Sequence, residues 1–344
     1  MYLKEIKIKG KELQFPVYFP DATRGVVKSL DSLDLQIAGI EGVVVNTYHL
    51  MSRPGMEVLR KIGGVKKFMG FNGFVTSDSG GFQLLSLIYR QGKNGKVTNE
   101  GIYFNNDKII FTPEKSIQTQ FDIGADIMIC LDDFTPPDAD AEQISLSIRR
   151  TTEWAKRCKN EFEKQISLRK IKKNNRPLLF SVVQGGEDAK ARSQSAEELT
   201  KIGFDGYGFG GWPSRKTLSM AADLLPNDKP KFALGVGKLE DIIAGVSMGY
   251  QIFDCVLPTR DARHRRLYIF NEKTRVTDYL YINKTKYASD KKPIDGKCDC
   301  FACQNYSRAY LHHLFAIEDG LSWRLSSIHN LRSYTRLIEG LRKS

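Results

Sequence analysis

A chain of 344 residues, 41% hydrophobic and 27% charged, is too apolar for intrinsic disorder and long enough for two ordinary domains or one barrel-sized one. No stretch approaches the roughly 18 uninterrupted apolar residues of a spanning helix, and the first twenty lack the apolar core of a secretion signal. A membrane is therefore not an expected partner, and a cytoplasmic location is the expectation.

The formal net charge is +12, and residues 255–344 supply +8 of it, with 17 Lys and Arg against 9 Asp and Glu. A basic final quarter is expected to meet a polyanion, because each phosphate contact releases counterions. The bland alternative is a solvated face tuned for solubility.

In chain order, short apolar runs end abruptly in a polar residue or glycine: 42–46 (GVVVN), 74–78 (FVTSD), 126–132 (DIMICLD), 178–184 (LLFSVVQ), 206–210 (GYGFG), 232–235 (FALG) and 251–254 (QIFD). Amphipathic stretches separate them. The clearest spans 140–164, with Ile144, Ile148, Trp154 and Phe162 as an apolar stripe and Asp138 or Asp140 as a cap. Runs of this length between helical patterns read as buried parallel strands. Seven of them predict an α/β fold: a (β/α)8 TIM barrel with one strand unassigned, or a doubly wound sheet. Asp78, Asp132, Gln184, Gly210 and Asp254 all end their runs. In a barrel those ends converge on one mouth, whereas in an open sheet only strands beside a switch point do. The barrel is the expected fold.

Six segments carry candidate chemistry. In Ser77-Asp78-Ser79-Gly80-Gly81-Phe82-Gln83, two glycines allow a sharp turn that projects Asp78, or simply make it a turn cap. Asp132 and Asp133 are adjacent, so they point to opposite faces: one toward a site, the other a cap or surface charge. Gln184-Gly185-Gly186 and Gly208-Phe209-Gly210-Gly211-Trp212 offer amide and backbone groups beside rings, which suits a flat heterocycle. Asp254 closes an apolar run and must be functional or paired, with Arg260 the nearest partner. Two carboxylates flanking a glycosidic bond are the usual equipment for breaking it. Finally, Cys298-Asp299-Cys300-Phe301-Ala302-Cys303 sets three thiolates on a tight loop, and zinc needs a fourth ligand from His312, His313 or His329.

Together these segments resemble the tRNA-guanine transglycosylase (queuine tRNA-ribosyltransferase) family. The resemblance includes Asn46-Thr47-Tyr48-His49-Leu50-Met51, Arg53-Pro54-Gly55, Asp78 to Gln83, Gly124-Ala125-Asp126-Ile127-Met128, Trp154-Ala155-Lys156-Arg157 and Val183 to Gly186. It continues through Leu234-Gly235-Val236-Gly237, Phe253 to Arg260, the cysteine cluster, Tyr306 to Leu314 and Ile328-His329-Asn330-Leu331, in family order over about residues 40–334.

The resemblance implies one (β/α)8 barrel over residues 1–344 with a C-terminal zinc-binding insertion at about 290–334. Asp254 would be the nucleophile on ribose C1′ of a wobble guanosine, and Asp78 the general acid/base. Ser79, Asp132, Gln184, Gly210 and Gly211 would read the base edge, with Phe82 and Leu234 covering its faces. Cys298, Cys300, Cys303 and His329 would hold one structural Zn2+, leaving His312 and His313 for packing. Arg260, Arg263, Arg265 and Arg266 would meet the anticodon loop of tRNA. The incoming base would be a 7-deazaguanine (preQ1 or queuine), and the bacterial members imply a homodimer. The family also contains non-catalytic RNA-binding partner subunits and DNA-modifying relatives; retention of Asp78, Asp254 and all four metal ligands favours the enzyme.

The sequence departs from the bacterial pattern around the base pocket. Phe134 stands where a cysteine is usual, and Trp212-Pro213-Ser214-Arg215-Lys216 replaces a Leu-Ala-Val-Gly-Glu segment. An expected carboxylate partner for a cationic aminomethyl group is thereby lost.

Overall fold

Strand pairing turns the seven expected runs, and an eighth, into a closed ring in a computed structural model that describes residues 2–91, 95–104, 109–271 and 276–343. The ring strands are β1 (Val17–Pro20), β2 (Gly42–Asn46), β3 (Phe74–Asp78), β4 (Ile127–Ile129), β5 (Leu178–Val183), β6 (Gly206–Phe209), β7 (Lys231–Ala233) and β8 (Ile252–Cys255). All pair in parallel, in the order β1-β8-β7-β6-β5-β4-β3-β2. Closure comes between β1 and β2, where Asp21 and Val44 form a parallel bridge and the Ala22 N–H donates to the Val44 carbonyl at 2.7 Å. The fold is the expected (β/α)8 barrel.

The strand without a sequence assignment is β1. Its four residues are all buried, yet Pro16 precedes them and Pro20 is the last of them. Proline donates no ladder hydrogen bond, so such a run reads poorly as a central strand. Here the prolines fall at its edges. β4 is shorter than its run and stops at Ile129, which leaves Cys130 to Asp132 in the loop beyond.

Alternation along the strands sorts the core into two layers. Val17, Phe19, Val44, Phe74, Phe180 and Phe232 fill the inside of the ring, while Tyr18, Val43, Val45, Val75, Leu179 and Phe253 pack outward beneath the helices. A hairpin of Glu5–Ile8 and Lys11–Gln14 lies across the N-terminal ends of the strands. Its Ile8 and Leu13 join the inner layer, and Lys9 Nζ donates to the Ala125 carbonyl at 2.8 Å.

Helices surround the ring: α1 (Gly81–Gln91), α2 (Pro113–Ile123), α3 (Ala141–Leu168) and α4 (Ala189–Ile202) matter for the site. α3 begins where expected, with Asp140 and Gln143 forming a capping box; Ile148, Trp154 and Phe162 are buried, and Ile144 is half-buried. After β8 come α5 (Leu257–Arg263), a hairpin of Arg266–Asn271 and Val276–Tyr281, then α6 (Phe301–Asn305), α7 (Arg308–Ala316) and α8 (Gly320–Arg342). α8 is tied back to the barrel, its Tyr334 hydroxyl donating to Gly237 and its Thr335 hydroxyl to Ala38 at 2.7 Å. Among the described residues no helix is long and apolar enough to cross a membrane.

The inner layer has little slack. A Cβ on Gly206 would lie 2.4 Å from the Phe180 ring, which fills the space that glycine leaves. Gly206→Ala is therefore expected to cost about 1–3 kcal/mol in urea unfolding. Gly296→Ala, with nothing within 4 Å of its added Cβ, is the matched control expected to change little.

Candidate active site and metal centre

Each strand presents one last inward side chain at the C-terminal mouth. Counting by twos from the inner layer, β1 leads to Asp21, β2 to Asn46, β3 to Asp78, β5 to Gln184, β6 to Gly210, β7 to Leu234 and β8 to Asp254. Asp132 joins them from the loop after β4. Below this level the ring is apolar apart from Thr76, so charged groups at the mouth lose water on one side and keep it on the other.

Asn46 and Asp78 sit opposite each other in the β2–β3 register. The Asn46 amide donates to both Asp78 oxygens at 2.9 Å, and the Gly80 N–H donates to Oδ1 at 2.9 Å. Asp78 is thus both a turn acceptor and a half-buried carboxylate facing the mouth. Burial pushes its pKa up to about 7 despite those hydrogen bonds.

Asp254 is the counterpart on β8. Its Oδ1 accepts from the Gly235 N–H at 2.8 Å, and burial also pushes its pKa up to about 7. No ion pair joins it to Arg260 among the described residues, and Arg260 is exposed. Two carboxylates poised together near neutrality can supply one ionised and one protonated group at the same pH.

The far side of the mouth is built to read a polar edge. Gln184 Nε2 donates to Asp132 Oδ2 at 2.6 Å, while Gln184 Oε1 is fully buried and has no partner among the described residues. An orphaned acceptor beside a carboxylate suits an N–H-rich edge. Burial raises Asp132 to about 6, offset first by the Gln184 hydrogen bond. Gly210 is required here: a Cβ would lie 2.5 Å from Gln184 Nε2. Ser79 is buried and holds the turn through the Gly81 N–H at 3.2 Å.

Asp133 faces away from the mouth. It is not the surface charge or cap expected for the second carboxylate but a buried group paired with Arg150. Phe82, Phe134 and Trp212 form a T-shaped series across the loops, with centroids 4.9 and 6.0 Å apart. Phe82 and Trp212 are exposed, so an aromatic wall borders the opening. Leu234 lies half-buried over β6, 3.0 Å from where a Gly208 Cβ would be.

Beyond the barrel, Cys298, Cys300, Cys303 and His329 are buried, with ligand atoms all within 4.8 Å of one another. His329 Nδ1 faces the sulfurs, 3.6 Å from Cys300 and 3.3 Å from Cys303. Its Nε2 donates to the Tyr268 carbonyl at 2.7 Å, which fixes the ring and leaves Nδ1 free to ligate. Three sulfurs and one imidazole nitrogen make a set that could hold a metal ion. Of the other histidines, His312 bonds the Ile282 carbonyl at 2.7 Å and His313 is exposed.

The four arginines of the basic segment differ in circumstance. Arg260 and Arg265 are exposed. Arg263 is half-buried, with a buried Nη1 that has no partner among the described residues. Arg266 bonds Asp261 through Nε at 3.0 Å and stacks on Tyr279, 4.7 Å from its centroid.

Three residues at this site went without a role in the sequence reading. Asn46 ends its run as Asp78 and Asp254 do, so the same strand-end signal marks it, whereas Asp21 follows a strand that no run announced. Arg192 on α4 carries no such signal. It is fully buried and donates to carbonyls of Gly186, Val183 and Gly210, clamping the ends of β5 and β6.

Comparison with known proteins places the chain in a family. The family model described as queuine tRNA-ribosyltransferase matches residues 3–344. A queuine tRNA-ribosyltransferase of Aliivibrio salmonicida is 39% identical over 99% of this chain and 91% of its own. Those of Solidesulfovibrio magneticus and Mannheimia succiniciproducens are 39% and 40% identical, covering 97% and 96% of this chain and 87% and 85% of theirs. The chain belongs to the queuine tRNA-ribosyltransferase family.

Proposed function

We propose that this pentosyltransferase, a tRNA-guanine transglycosylase of queuosine modification, works through a covalent Asp254–ribose intermediate at the barrel mouth. Asp254 attacks C1′ of a wobble guanosine, the bond to guanine breaks, and Asp78 gives the departing base its proton. Asp78 then takes a proton from an incoming 7-deazaguanine, which displaces Asp254 from C1′. The observation that carries this reading is the pair of mouth carboxylates, both raised to about 7 and held by different strands. Asp132, Gln184 and the Gly210–Gly211 backbone read the base edge, Ser79 holds the turn beside them, and Phe82 and Leu234 cover its faces.

Cys298, Cys300, Cys303 and His329 would hold Zn2+, whose four protein ligands leave no open position, so its contribution is structural. Arg260, Arg263, Arg265 and Arg266 lie on the segment after Asp254, where the anticodon loop would approach; the basic charge of residues 255–344 supports that approach. A homodimer in the cytoplasm completes the proposal, with exposed Tyr310 and Trp323 offering apolar area for self-association.

The direct test is exchange of radiolabelled guanine into tRNA. Wild type is expected to exchange, and Asp254→Ala to lose on the order of 10³-fold or more. A wild type silent on every tRNA offered, or full activity in Asp254→Ala, rejects the reading.

The carboxylate pair also sets the pH dependence. Attack needs one group ionised and departure needs the other protonated, so kcat/KM is expected to be bell-shaped with its maximum near pH 7. Stability moves in one direction only. A carboxyl whose folded pKa is raised binds protons more tightly when folded, so its stability penalty grows as pH rises from about 4 to 7. Asp254→Asn is therefore expected to exceed wild type in urea midpoint at pH 8, with the gap shrinking toward pH 5.

Elemental analysis is expected to find one zinc per chain, lost in Cys300→Ser together with a lower Tm. Protein with all four ligands intact and no bound zinc would count against the assignment.

A further inference from the structure

We propose that Asp21 is a third working carboxylate of the mouth, accepting a hydrogen bond from the ribose hydroxyl adjacent to the carbon that Asp254 attacks. The inference rests on the base-exchange reading and adds to it a means of choosing ribonucleotide over deoxyribonucleotide.

Position comes first. β1 pairs with β8 in a register that sets Phe19 opposite Asp254. Asp21 follows two residues later and points the same way. It therefore stands one strand over, about 4.8 Å sideways and roughly 6.6 Å nearer the opening than the level of Asp254. A ribose seated with C1′ on Asp254 and its base toward Asp132 and Gln184 has its remaining ring atoms above that level, within reach of this carboxylate.

Orientation comes next. Asp21 Oδ1 accepts from the Thr23 N–H at 3.2 Å and from the Thr23 hydroxyl. Oδ2 makes no hydrogen bond or ion pair among the described residues, and the side chain is half-buried. One oxygen is anchored and the other is open. Asparagine would hold Thr23 as well without bringing a charge, so the turn alone does not account for a carboxylate.

The surroundings make that charge conspicuous. Asp21 raises the proton affinity of both Asp78 and Asp254, and its field also reaches His49 and Arg263. Neither of those two forms an ion pair with it among the described residues. A third anion facing two carboxylates is unfavourable in the empty mouth and favourable once a hydroxyl donates to it, since hydrogen bonds to ionised acceptors are the strong ones. A hydroxyl next to the reacting carbon also gains from such a bond as positive charge grows on the sugar.

The test is a thermodynamic cycle on the full-length, zinc-loaded chain. Two anticodon stem-loops, one with ribose and one with 2′-deoxyribose at the target guanosine, compete against labelled tRNA for wild type, Asp21→Ala and Asp21→Asn. Wild type is expected to favour the ribose stem-loop by roughly tenfold or more. Asp21→Ala is expected to bring that ratio near one, with non-additive losses, and Asp21→Asn to fall between. Because Asn keeps the Thr23 anchor, it carries the test if the alanine variant fails to fold. An unchanged ratio in a folded variant, or equal losses on both stem-loops, overturns the proposal; the latter marks a group that only tunes its neighbours' protons. Wild type without guanine exchange would instead sink the base-exchange reading itself.

Discussion

Alternation of side chains along a closed ring of parallel strands governs everything at the mouth. Each strand sends every second residue inward, and below the mouth those residues are Phe19, Val44, Phe74, Phe180 and Phe232. They fill the ring so fully that Gly42 and Gly206 exist to make room for rings from neighbouring strands. Charged inward groups therefore appear only at the last level, with a mainly hydrocarbon interior, Thr76 its polar exception, beneath them and solvent above. That one-sided desolvation raises Asp78, Asp132 and Asp254 together. Their chemistry follows from their level in the ring more than from any single neighbour.

The same position is costly. Several carboxylates in one layer repel one another and lose hydration, and the fold offsets this with directed hydrogen bonds instead of cations. Asn46 donates to both oxygens of Asp78, Gly235 donates to Asp254, and Gln184 to Asp132. Neutral donors hold a carboxylate in place without adding a counter-charge to the mouth. Asp133 shows the contrast. One residue from Asp132 and facing away, it is locked to Arg150. Arg192 is the inverse case: a buried cation answered by backbone carbonyls, fixing strand ends without adding a counter-charge to the mouth.

Much of this was legible because strand runs end where burial ends. An apolar run terminating in Asp, Gln or Gly is a visible pattern, and it located Asp78, Asp132, Gln184, Gly210 and Asp254. The rule failed at Asp21 because Pro16 before β1 and Pro20 at its end disguised the strand itself. Adjacency predicted opposite faces for Asp132 and Asp133 but not which one turned inward, since β4 ends at Ile129 and the loop beyond sets the direction. Arg192 was illegible for a different reason. Its partners are carbonyls, which every residue possesses, so no residue type announces them. Cysteine spacing announced a metal site directly, whereas the convergence of His329 on it depends on how α8 packs.

That packing joins the Cys298–Cys300–Cys303–His329 cluster to the segment that follows Asp254. His329 and Asn330 are neighbours on α8, and both hold the Arg266–Asn271 strand: His329 Nε2 donates to the Tyr268 carbonyl, and Asn330 Oδ1 accepts the Tyr268 N–H at 3.1 Å. Asn330 Nδ2 also donates to the carbonyls of Pro258 and Arg266, each at 3.0 Å. Pro258 lies in the first turn of α5, four residues past Asp254. Ligands gathered around His329 thus fix one turn of α8, and through Asn330 that turn fixes the start of the segment carrying Arg260 and Arg263. A metal held there by four protein ligands would have no open position for chemistry. Its leverage is geometric, because Pro258, Arg266 and Tyr268, all on the basic segment that follows Asp254, are held from the same turn of helix.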